Sequence, residues 1–189
     1  MKKANKEIKN QFDFFNELVY TDKIISDNEV IMHPKKSNAF WLNGQSNVQH
    51  STISEDIIFM IEQSKRDNKY GIKLRCTNFI NEPFFRFDSD GPAHRNEDPN
   101  IPLDEQLIKT PHFNSFDESG NYIAYHNDTL KKENEAIIIA NDINFGISLF
   151  CMETNSKLKD NNFPTLVQLI PEIEFPENNN INFDNINFE

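Results

Sequence analysis

What this 189-residue chain lacks narrows its chemistry more than what it holds. It has five glycines, each isolated, so it contains no glycine-rich phosphate loop, and it has no Gly-x-Ser-x-Gly nucleophile elbow. Its two cysteines, Cys76 and Cys151, are too few and too far apart for a disulfide framework or a paired-Cys zinc site, and both are expected in the core. No apolar run approaches the roughly 20 residues of a membrane span, and the N-terminus has no apolar signal core. A cytoplasmic protein without a membrane partner is expected. Basic charge is scarce as well: 19 Lys and Arg stand against 30 Asp and Glu, a net charge of −11. Such a surface repels nucleic-acid backbones, so direct nucleic-acid binding is not expected. The one basic concentration, Lys2, Lys3, Lys6 and Lys9, is read as a helix start.

Phenylalanine, by contrast, is abundant. The 17 Phe residues within 37% apolar composition are enough for one hydrophobic core. Ile8, Phe12, Phe15, Leu18 and Val19 recur at three and four, which predicts an amphipathic helix over Ala4 to Tyr20. Val30 to Met32 and Ala39 to Leu42, separated by His33 to Asn38, read as a hairpin followed by a turn at Asn43-Gly44. Thr52 to Glu55 forms a capping box for a helix, yet Ile57-Ile58-Phe59-Met60-Ile61 is the better strand. Strands follow at 70–76 and 84–88, and Asp117 to Gly120 is the turn of a hairpin between 112–116 and 121–125. Ile137 to Ile139 is a buried strand or the lead into a helix, and Asp142 caps a helix through Cys151. The fold class is therefore α+β: mainly antiparallel sheet or a partly open barrel, with an N-terminal helix and a helix near 142–154. Residues 1–170 form one domain. Residues 171–189 form an acidic, Phe- and Asn-rich tail that repeats Ile-Asn-Phe and is disordered or docks on something.

Chemistry concentrates between Pro83 and Tyr125. There Arg86-x-Asp88 ends a strand, with both side chains on one face, and Gly91-Pro92 turns the chain to His94 and Asn96; Pro111-His112-x-Asn114 opens a further strand. Together with Ala124-Tyr125, these residues resemble an uncharacterised family of small bacterial and phage proteins. Its signature is Arg-x-Asp-x-x-Gly-Pro-x-His-x-Asn, then Pro-His-x-His, then Ala-Tyr. Asn114 replaces the second histidine and Ala93 a proline. The resemblance implies a bacterial or phage setting and a fold relationship, and no mechanism.

Arg86, Asp88, His94 and His112 are the catalytic candidates: the two histidines as base and acid, Arg86 on a phosphate. His94, His112 and Asp90 are the candidate metal ligands, with Asp88 or His126 as alternatives to Asp90. Asn96, Asn114 and Tyr125, with Phe183 and Phe188 of the tail, are the candidate binding residues. Between Glu82 and Asp128 three basic residues face ten acidic ones, a net −7 that repels phosphate and favours a cation. The plainer reading makes Arg86–Asp88 an ion pair and the histidines loop anchors. No cofactor is expected, with a divalent metal as the alternative. The leading expectation is an accessory protein of a bacterium or phage that acts by binding another protein. In its sharper form it is an acidic inhibitor of a nucleic-acid-processing or antiviral defence system. The alternative is a small histidine-dependent hydrolase, nuclease or metal-binding enzyme built on His94, His112 and Arg86.

Overall fold

The computed structural model describes residues 4–98 and 100–168. The predicted first helix forms in two pieces, α1 (Lys6–Asn10) and α2 (Phe12–Tyr20). They part at Gln11, whose φ of −131° and ψ of 42° take it out of the helical region. Asn5 caps α1, its Oδ1 accepting from the Glu7 and Ile8 amides. Both pieces still turn the expected side chains, Ile8, Phe15, Leu18 and Val19, into the core.

Next come β1 (Lys23–Ile25), β2 (Glu29–Lys35) and β3 (Asn38–His50). The hairpin between β2 and β3 forms at Lys36-Ser37. The expected turn at Asn43-Gly44 does not: β3 runs straight through it for 13 residues. At Gly44 a Cβ would come within 2.7 Å of Met32 Sδ and Val30 Cγ1, so glycine serves here as a close approach between strands. The capping-box helix does not form either, because Thr52 Oγ1 donates to Glu17 Oε1 at 2.5 Å and the apolar run pairs as β4 (Ile57–Ser64).

The central strands are β5 (Tyr70–Arg75) and β6 (Phe85–Asp88), followed by a small hairpin, β7 (His94–Arg95) with β8 (Leu107–Ile108). Then come β9 (His112–Phe116) and β10 (Tyr122–Tyr125). Ile137 to Ile139 belongs to a helix, α3 (Glu133–Asn141), and Asp142 caps α4 (Ile143–Glu153) by accepting from the Asn144 amide. The described chain closes with β11 (Ser156–Lys157) and β12 (Thr165–Gln168). The tail with Phe183 and Phe188 lies outside the described residues.

The larger sheet runs β10-β9-β6-β5-β4-β3-β1-β11; β2 shares the β1 edge of β3 and carries β12 on its outer side. All of its pairings are antiparallel except β1 with β11 and β2 with β12. The protein is thus α+β, with a mostly antiparallel sheet curled into a half-barrel.

Strand alternation builds the core: Phe59 and Ile61, Ile72 and Leu74, and Phe85 and Phe87 are all buried along successive strands. Phe150 of α4 packs onto Phe59 and Phe85 at ring-centroid distances of 5.9 and 5.6 Å. Each such buried ring contributes about 2–3 kcal/mol of transfer free energy. Cys76 and Cys151 are both buried and unpaired. No single helix among the described residues is long and apolar enough to cross a membrane.

Candidate functional site

Register brings Arg86, Asp88, His112 and Asn114 of the 83–125 window together on the face opposite that core. Pairing aligns Glu62, Gly71, Asp88 and His112 across four strands, and the neighbouring row is Met60, Lys73, Arg86, Asn114 and Ala124. Gly71 leaves room in the first row, since a Cβ there would already touch Asp88 Oδ1 at 3.4 Å.

Asp88 is the centre of this arrangement. Its Oδ1 accepts from Arg86 Nε at 2.7 Å and lies 2.6 Å from Arg86 Nη2, and its Oδ2 accepts from Asn114 Nδ2 at 2.8 Å. His112 Nε2 stands 3.8 Å from the same Oδ2, an ion-pair distance and too long for a hydrogen bond. The Asp88 side chain is 14% exposed and that of His112 is 4% exposed. Burial lowers the His112 pKa below its ordinary 6.5, against the opposing pull of Asp88, so the ring is neutral at pH 7. Burial also works against the Arg86 guanidinium, but the Asp88 carboxylate outweighs it and the pKa rises. Tyr122, beside Arg86, is pushed up to about 12, by burial first.

A second ion-pair group lies along the same face. Glu62 accepts from Lys35 Nζ at 2.6 Å and from Lys73 Nζ at 2.5 Å. Burial alone would raise the Glu62 carboxyl, yet the two lysines bring it below the ordinary range. The sequence pattern did not single out this group, because its members come from three strands more than ten residues apart.

The other two signature residues, His94 and Asn96, do something different. The Asn96 amide pairs with the edge of β10 as a strand would: Nδ2 donates to Ala124 O at 2.7 Å, and the Ala124 amide donates to Oδ1 at 2.8 Å. His94 Nε2 donates to Tyr122 O at 3.1 Å, and its ring meets the Tyr122 ring edge-on at 5.5 Å. Together they fasten the β7–β8 hairpin along an otherwise open sheet edge. His126 Nε2 likewise donates to Lys109 O at 2.8 Å.

The metal set does not assemble. Asp90 pairs with Lys69 at 3.0 Å instead of joining the histidines. Among the described residues no group of three or more His, Cys, Asp or Glu side chains is placed to hold a metal ion. Tyr125 faces the core, where its ring stacks on Phe113 and its hydroxyl donates to Glu153 Oε1 at 2.9 Å. A cleft of about 960 Å³ lies between α3 and the strand ends; Asp90, Lys109 and His126 line it, but Arg86, Asp88, His94 and His112 do not.

The fold and this face define an α+β half-barrel with a charged, hydrogen-bonded row on one face and a fastened hairpin at one edge. No protein-family model, curated protein or solved structure matches the chain.

Proposed function

We propose that this protein acts by binding another protein through its acidic surface, as an accessory factor whose partner presents basic charge. The observation that carries this reading is the combination of a net charge of −11 for the chain with large apolar side chains left in solvent. Leu103, Ile137, Ile138, Phe145 and Met152 are each more than half exposed. Scattered apolar exposure is ordinary, but apolar side chains amid excess carboxylate suit a partner that offers both apolar contact and positive charge. A protein whose basic groove otherwise holds nucleic acid is such a partner, and occupying that groove would inhibit it.

A further support is the disposition of the catalytic candidates. His112 is enclosed, His94 Nε2 is tied to a backbone carbonyl, and neither ring lines the cleft beside α3. The test is native mass spectrometry of the protein gently purified from the cells it comes from. The expected result is a stoichiometric protein partner that dissociates as salt rises to about 0.5 M, where surface charge is screened within a few ångströms. A bound metal or nucleotide with no protein partner would overturn this reading in favour of the hydrolase.

A further inference from the structure

The segment between β7 and β8 is organised from within. Asn100 folds back so that its amide and side chain both donate to Asp98 Oδ1, at 2.9 and 3.1 Å. The Glu105 and Gln106 amides donate to Pro102 O. At its centre Gln106 is buried, and its side-chain amide donates to Asp98 O at 2.8 Å and Ile101 O at 2.7 Å. Arg95 Nη1 donates to Leu103 O at 2.9 Å, which ties an exposed guanidinium to the backbone of the loop. The base of the loop is closed by the β7–β8 pairing and by the Asn96 amide donating to Gln106 O.

What this internal bonding holds up is apolar. Leu103 is 72% exposed, the most exposed of the large apolar side chains described, and Ile101 and Leu107 are exposed beside it. Around them stand Glu97, Asp98, Asp104 and Glu105, and no basic residue occurs from 96 to 108. The buried glutamine orders a loop whose leucine faces water, where it forgoes about 2 kcal/mol of transfer free energy. That ordering serves recognition, since the ordering entropy of the loop is lost on folding and not on binding.

Resting on the protein-binding reading above, we propose that the loop from Asn100 to Leu107 is the recognition element. Leu103 enters an apolar pocket on a partner protein, and the carboxylates around it meet Lys and Arg residues on the pocket's rim. Gln106 is the positioning residue, and His94 and Asn96 join the loop to the sheet.

Site-specific photo-crosslinking in the cells of origin tests this, with a benzoylphenylalanine placed singly at Leu103, Phe40 and Phe145, three exposed positions on different elements. The expected result is one protein adduct from position 103. Its yield falls about tenfold when Asp104→Lys and Glu105→Lys are added, equivalent to roughly 1.4 kcal/mol, with the urea midpoint at the parent value, and it also falls with Gln106→Ala. An adduct at 103 that survives the charge reversal overturns the basic rim, and with it the proposal. Adducts from Phe40 or Phe145 alone overturn this loop but leave protein binding standing. No adduct from any position overturns both readings.

Discussion

At the scale of single residues, the window that holds most of the chemistry proves to be densely bonded. Asp88 receives the Arg86 guanidinium and the Asn114 amide at 2.6–2.8 Å, with a neutral His112 behind it. Replacing it, Asp88→Ala, strands those donors; Arg86 is 41% exposed and is re-solvated, so the loss is about 2 kcal/mol, read from urea denaturation. Lys23 supplies the pH dependence. It is fully buried at the C-terminal end of α2, where Nζ donates to Val19 O and Thr21 O at 2.7 and 2.6 Å. Burial brings its pKa down from 10.5 to about 7, with Asp22 opposing. Between those values the unfolded chain binds the extra proton, so stability rises with pH above about 7. Above 9 the opposite sign enters through Cys151, whose buried thiol is pushed up to about 12 and favours the folded state less as pH climbs. Urea midpoints at pH 7, 8 and 9 therefore increase by up to about 1 kcal/mol per pH unit, and Lys23→Met flattens the trend.

At the scale of elements, contacts between segments decide where local signals win. Local patterning made these segments legible: the three-and-four apolar spacing of α2, the apolar runs of β4 and β6, the alternation of β5, the Asp117–Gly120 turn between β9 and β10, and the Asp142 cap of α4. It misplaced a turn at Gly44 because Asn-Gly is a turn signal by itself, whereas the needs of β2 packed against β3 are invisible locally. Gly146 is a similar case: glycine is a poor helix former, yet a Cβ at this position of α4 would overlap the Tyr70 ring, whose hydroxyl donates to Ile139 O and so ties α3 to the sheet. Gly146→Ala consequently destabilises by about 2–3 kcal/mol in thermal or urea unfolding, although alanine is the better helix former. The short strands β1, β7, β8 and β11, two or three residues each, have no period to detect.

At the scale of the molecule, the sequence by itself determined the α+β class, the Phe-rich core, the excess negative charge and the grouping of Arg86, Asp88, His94, Asn96, His112 and Asn114 in one window. These follow from composition and from spacings of two to four residues, which local backbone geometry converts directly into faces. Only the tertiary structure decided what the group does. Asn114 meets Asp88 across 26 residues and Asn96 meets Ala124 across 28, through sheet register that no local spacing encodes. That register divides the window into a closed Asp88 network and a pair of fasteners, His94 and Asn96. It also leaves Leu103, which nothing in the sequence pattern distinguished, facing water on a loop held by the buried amide of Gln106. Exposure is a property of the assembled surface, and it exists only once the β7–β8 hairpin has docked on the β10 edge.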